Sequence, residues 1–255
     1  SRGNPVTQAR TTPPLTLARG TVQGEIHDLQ GRFNVNWLSD PDNTLAQTAF
    51  DRLLAQLGLP PQIAADIRRF VTPGALREAQ APQLSLTAPS LNPQHLDPVP
   101  LDPVGGPLLS GDQLADLPGL SPRAYARLRP LITALPGDSR LNVNTAAPEV
   151  LSAFLSDLPA AALSRLIQSR AQSPFPSVEA FLIAARLQQA ENQDEAETDP
   201  DPSQLGPDQL TISSGWFRID SLAALAPLAA RRVTILHRKA PGQRPELIWQ
   251  VTQRP

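Results

Sequence analysis

The chain has 255 residues, 22 basic against 24 acidic side chains, a formal net charge of −2, and no cysteine. The near-neutral balance supplies no global field for gathering phosphates, and the cysteine count excludes disulfide scaffolds, thiolate zinc sites and cysteine nucleophiles. The 29 prolines are about twice the usual share, and aromatics are few (Trp 3, Tyr 1, Phe 7), which together point to an aliphatic, largely helical core joined by stiff connectors.

No run approaches the ~20 apolar residues of a membrane span, and no signal peptide is visible. The chain starts at Ser1 and contains no Met. It therefore reads as a processed or trimmed fragment, a reading that leaves room for an N-terminal anchor.

Residues 1–20 are rich in Pro, Thr and Arg without period and read as a tail. The stretch TVQGEIHDLQGRFNVNWL predicts short strands separated by turns at Gly24 and Gly31. A cap cluster at Asp40, Asp42, Asn43 and Thr44 then opens a helix carrying Leu45, Phe50, Leu53, Leu54 and Leu57, with Gly58 as its stop. A second helix starts near Pro61 and ends before Thr72-Pro73-Gly74. Residues 80–109 are proline-rich and aperiodic, a long connector.

Helical grammar returns at Gly111 as a short helix, a Leu-Pro-Gly-Leu hairpin at 117–120 and a longer helix. The segment APEVLSAFLSDL predicts a helix with Pro148 near its start and Asn144 or Thr145 as its cap. Two more helices are predicted in LPAAALSRLIQSRAQ and SVEAFLIAARLQQAE. Residues 191–208 are acidic and aperiodic. The last part, LTISSGWFRIDSLAAL, RRVTILHRKA and ELIWQVTQ, alternates apolar with polar and reads as strands.

The order is thus β, a long α region, then β. Each flanking β piece is too small for a stable sheet alone, so the two are expected to pair. The predicted class is α+β: residues 1–20 a tail, residues 21–38 plus 207–255 one small α+β domain, and residues 39–206 a large all-α insertion containing a helix-hairpin-helix-like unit. The insertion includes the connector 80–109 and an acidic loop at 191–206.

Asn-Val-Asn is spelled twice, at 34–36 and 142–144, each time after an Arg and one large apolar residue. Asn side chains bond local backbone and cap helices, so both copies read as strand-to-helix junctions. The 117–120 hairpin, with Arg123, Arg127 and Arg129 nearby, resembles a unit that offers backbone N–H groups to a phosphate. It lacks the extra Gly and Lys that close approach to a phosphate requires, and packing between helices is the simpler reading. Asp194, Glu195, Glu197, Asp199, Asp201 and Asp208 are the candidate calcium ligands, although so dense a run of carboxylates also describes a solvated loop. The three His residues have no metal-binding spacing, and no nucleophile elbow or phosphate loop is present, so no enzyme is expected.

Three word groups carry a family resemblance: Gly24-Glu25-Ile26 with the run from Asp28 to Asn36, the run from Leu141 to Ala146 with Glu149-Val150-Leu151, and the run from Ser213 to Phe217. In that order they resemble minor pseudopilin K of bacterial type II secretion systems. The resemblance implies a pilin-like α+β domain interrupted by a helical domain. It also implies a hydrophobic N-terminal helix, absent here, that holds a periplasmic domain at the inner membrane of a Gram-negative bacterium. It further implies a non-enzymatic subunit that caps the pseudopilus tip together with minor pseudopilins I and J and contacts the pseudopilus shaft and secreted substrates. Calcium on the pilin-like domain is implied as well, without a residue-by-residue match to the acidic loop. Two rivals stand beside this reading: a nucleic-acid module built on the 117–120 hairpin, and a periplasmic adaptor that recognises exported proteins through the Pro-rich connector.

Overall fold

A computed structural model describes residues 10–18, 20–73, 105–190, 205–225, 228–240 and 242–253. It divides the chain into two compact units: residues 1–33 with 139–255, and residues 34–138. The first unit is discontinuous in sequence and the second interrupts it. This division differs from the expected one, which placed the boundaries at 39 and 206. The helices after residue 139 belong with the sheet, not with the insertion.

In the discontinuous unit, an antiparallel sheet is built from β1 (Arg10–Thr11), β2 (Leu15–Leu17), β3 (Gly20–Asp28), β8 (Trp216–Leu225), β9 (Leu228–His237) and β10 (Glu246–Gln253). Its order is β1-β3-β8-β9-β10, with β2 also paired to β3. The two ends of the sequence therefore meet, β3 against β8, with Ile26 opposite Ile219 and Asp28 opposite Phe217. Residues 10–17, read as tail, pair with β3 instead. Gly24, read as a turn, lies inside the nine-residue β3, where it accepts from Thr12 N (2.7 Å) and donates to Thr12 Oγ1 (2.9 Å). Here an approaching edge strand, not a reversal of the chain, accounts for the glycine.

The same unit carries β6 (Leu141–Asn142) and β7 (Leu210–Thr211), paired in parallel. It also holds helices α4 (Pro148–Phe154), α5 (Ala160–Gln172) and α6 (Val178–Ala190). Helix α4 starts at Ala147 with no side-chain cap, so neither Asn144 nor Thr145 caps it. Asn144 is held instead by the bonds described below. Phe33, Leu141, Val143, Leu151, Phe181 and Leu210 are fully buried here, and Phe33 stacks on Phe154 with ring centroids 5.8 Å apart.

The interrupting unit holds a 3₁₀ turn (Val35–Ser39), α1 (Thr44–Gln56), α2 (Pro61–Val71), a 3₁₀ turn (Gly111–Asp116), α3 (Pro122–Leu128) and β5 (Ile132–Thr133); the short β4 (Phe33–Asn34) straddles its first boundary. Asn43 Oδ1 caps α1 by accepting from Ala46 N (3.0 Å). The helix ends with Leu59 N donating to Leu54 O and Gly58 N to Ala55 O, a closure that needs a left-handed residue. Gly58 supplies it at φ +58°. Pro61 opens α2 where a missing N–H costs nothing. Leu45, Phe50, Leu53 and Leu54 of α1, with Ile63, Ile67 and Val71 of α2, form the apolar core of this unit with Leu114 and Leu128. The predicted longer helix after the hairpin is shorter, because Pro130 turns its last residues into a 3₁₀ turn (Arg129–Leu131).

Candidate functional site

The first Asn-Val-Asn word is buried and the second is buried except for the half-buried Asn144, and they use their amides in the same way. In the first, Asn36 N donates to Asn34 Oδ1 (3.1 Å). Asn36 then grips one distant residue by both backbone groups: Leu108 N donates to its Oδ1 (2.7 Å) and its Nδ2 donates to Leu108 O (2.9 Å). Nδ2 also donates to Leu135 O (2.8 Å). In the second word, Asn144 N donates to Asn142 Oδ1 (2.9 Å). Asn144 grips Phe175 likewise, by N to Oδ1 (2.8 Å) and by Nδ2 to O (3.0 Å), and donates again to Ile212 O (3.1 Å). A carboxamide carries the donor and acceptor of a peptide group, so in each case it stands in for one rung of a strand where no strand is available. The first Asn of each pair differs in its further partners: Asn34 Nδ2 serves Leu135 O and Pro136 O, whereas Asn142 Nδ2 reaches Ser214 Oγ (2.8 Å).

Around the second word the three groups that carry the resemblance converge. Asp28 Oδ2 accepts from Ser214 Oγ (2.6 Å), and Asp28 Oδ1 accepts from Gln30 N (2.8 Å). Gln30 Oε1 accepts from Gly215 N (2.6 Å) and Trp216 N (3.2 Å), and its Nε2 donates to Arg140 O (3.0 Å). Gly31 is dictated by space, since a Cβ there would lie 2.3 Å from Thr145 O. Gly215 is held by the same logic, 2.6 Å from Arg238 O. Arg170 of α5, only 3% exposed, closes the knot by donating Nη1 to Val143 O (2.7 Å) and Ala146 O (3.0 Å). Burial lowers its pKa to about 10, so it stays charged at neutral pH. Its role escaped the sequence reading, because nothing in ALSRLIQSRAQ marks one of two arginines as internal.

The sheet presents two unlike faces. Directly opposed residues share a face. Leu15, Leu17, Val22, Ile26, Phe217, Ile219, Leu228, Leu236 and Leu247 fall on one of them. Four of these leucines stand open to solvent: Leu15 at 61%, Leu17 at 51%, Leu228 at 69% and Leu247 at 54%. The other face carries the charged groups, together with the buried Val233 and Ile235. Asp220 accepts from Arg218 Nε (2.8 Å) and Arg231 Nη2 (2.9 Å), and His27 Nε2 lies 3.6 Å from both Asp220 Oδ2 and Glu25 Oε2. Burial first, then the Arg32 charge, lowers the His27 pKa; burial raises that of Asp220, but the bonds and charge of Arg218 and Arg231 outweigh it. Trp216 stacks on His237 at 4.1 Å on the same face.

Of the candidate calcium ligands, Asp194, Glu195, Glu197, Asp199 and Asp201 lie outside the described residues. Asp208 is exposed on a 3₁₀ turn (Pro207–Gln209). Among the described residues no three His, Asp or Glu side chains are grouped to hold a metal. At the hairpin, Gly119 adopts φ +90° and Leu120 N is spent on Leu117 O (3.1 Å). A Cβ on Gly119 would lie 3.5 Å from Asp66 Oδ2, so a carboxylate flanks the turn, a charge unfavourable to a phosphate. Arg129 is paired with Asp112 (3.2 Å). No helix among the described residues is long and apolar enough to cross a membrane.

Comparison with known proteins follows the same two words. Family models described as "Type II secretion system (T2SS), protein K" match residues 31–137 and, for a second segment, 141–201, each beginning within a few residues of an Asn-Val-Asn. Type II secretion system protein K of Pseudomonas aeruginosa (strain PAO1) is 32% identical over 189 residues, 68% of this chain and 52% of that protein. The Aeromonas hydrophila protein of the same name is 31% identical over 180 residues, 64% and 54% respectively. The chain thus spans about half the length of the curated relatives it matches. A chain of the GspK-GspI-GspJ complex from the enterotoxigenic Escherichia coli type 2 secretion system shares the fold, with a TM-score of 0.64 at 20% identity over 96% of this chain and 83% of that one. With the knot of Asp28, Gln30, Asn142 and Ser214 joining all three word groups, and both segments matched, the chain belongs to the type II secretion system protein K family.

Proposed function

We propose that this chain is the body of a minor pseudopilin, a non-enzymatic subunit that works by packing against other subunits in the periplasm. The observation that carries the reading is the apolar sheet face, whose open leucines have no cover among the described residues. Exposed leucines gathered on one sheet face in this way mark an interaction surface. The solved relative of this fold comes from a complex with GspI and GspJ, which supports minor pseudopilins I and J as the partners. The unit formed by residues 34–138 is the bulk that would cap the pseudopilus tip by leaving no room for a further subunit. The acidic segment from Asp194 to Asp208 is the proposed calcium loop. A calcium-dependent rise in Tm, lost on neutralising Asp199 and Asp201, is its check.

The test is assembly. Mixed with the periplasmic parts of pseudopilins I and J, the chain is expected to form a complex by light scattering, weakened by Leu228→Asp combined with Leu15→Asp. A chain that stays monomeric with both partners, or a complex indifferent to the double substitution, contradicts the reading.

A further inference from the structure

The sheet ends at β10, and we infer that the outer edge of β10 takes up one extended segment of a neighbouring subunit as an added strand. The proposal rests on the assembly reading above. A terminal strand presents a row of backbone donors and acceptors, and soluble proteins blunt such rows with charges, prolines or bulges. This edge is poorly protected: β10 has no proline, and its single charge, Glu246, is engaged by Lys239 (3.0 Å) at one end. A bulge interrupts pairing between Leu247 and Trp249, but from 249 to 253 the register with β9 is regular, ending Val251 opposite Val233, Thr252 opposite Arg232 and Gln253 opposite Arg231. That leaves five residues of straight, uncharged edge, with Val251 46% exposed.

The kind of strand is set by what stands over the edge. Arg232 of β9 is exposed and donates Nε to Thr252 Oγ1 (3.2 Å), so its guanidinium lies across β10 toward the open side, with no carboxylate partner among the described residues. Thr252 and Arg232 are on the apolar face. An added strand would therefore extend that face with apolar side chains and place an Asp or Glu beside Thr252, where Arg232 would pair with it. A helix could bury leucines but could not satisfy the row of peptide groups.

The test is hydrogen–deuterium exchange of the chain alone and in complex with the periplasmic parts of its partner pseudopilins. The outward-facing amides among 249–253, every second one, are expected to slow by on the order of tenfold or more in the complex. Arg232→Glu is expected to weaken binding by on the order of tenfold. Val251→Lys should remove the protection while leaving the Tm of the free chain unchanged. A complex that forms while these amides exchange at the free rate overturns the inference and spares the assembly reading. Protection that instead grows with the concentration of the chain alone also overturns it, because the occupant is then a second copy. If no complex forms, both readings fall together.

Discussion

Asn36 and Asn144 each hold a residue far away in sequence by a two-point carboxamide grip. Asn144→Ala would leave Phe175 N, Phe175 O and Ile212 O without their half-buried partner, an expected loss of about 2 kcal/mol in urea unfolding. Asn144→Asp should be no better, because a carboxylate would face two carbonyls. A loss below ~0.5 kcal/mol for the alanine variant would show that the grip holds nothing. The junction role of these words was legible, because Asn favours local backbone bonds. Their partners were not, since Leu108 and Phe175 lie 72 and 31 residues away and carry no mark of being gripped. The single tyrosine offers a second check at this scale. Tyr125 donates to Asp112 Oδ1 (3.0 Å), and burial with that carboxylate raises its pKa to about 12. Ultraviolet titration should show tyrosinate appearing near that pH, two units above the ordinary value, and a midpoint near 10 would contradict the contact.

Between strands β3 and β8 the charged face makes stability depend on pH. The His27 pKa is lowered, so the folded sheet binds this proton less readily than the unfolded chain, whose value is near 6.5. Stability from this group is therefore present above pH ~6.5 and lost as the pH falls below it. Asp220, also lowered, adds a second loss at lower pH as its carboxylate protonates. Thermal melts should fall in two steps on acidification. His27→Gln should remove the upper step alone, and an unchanged profile in that variant would contradict the assignment. Asp220→Asn removes the negative charge and one of the two acceptor oxygens that Arg218 and Arg231 share and should cost about 2 kcal/mol at pH 7. Helices were legible wherever spacing and caps agreed, as at α1 and α2. Strand pairing was less so. Gly24 reads as a turn because sequence shows the missing side chain but not the neighbouring strand that occupies its space, and residues 10–17 lack any period of their own.

For the whole molecule, the meeting of the two ends of the sequence in one sheet followed from a physical need: neither β piece could stand alone. The unit boundaries did not follow, because the helices after residue 139 look in sequence like those before it. What assigns them to the sheet unit is the knot of Asp28, Gln30, Asn142 and Ser214, a set of contacts spanning up to 186 residues. The open apolar face of the sheet is the proposed seat of neighbouring subunits. Photocrosslinkers placed at Leu228 on that face and at exposed Gln62 on α2, in cells that assemble the secretion system, test it most directly. Crosslinks to pseudopilin partners are expected from position 228 and none from position 62. Crosslinks from Gln62 with none from Leu228 would contradict it.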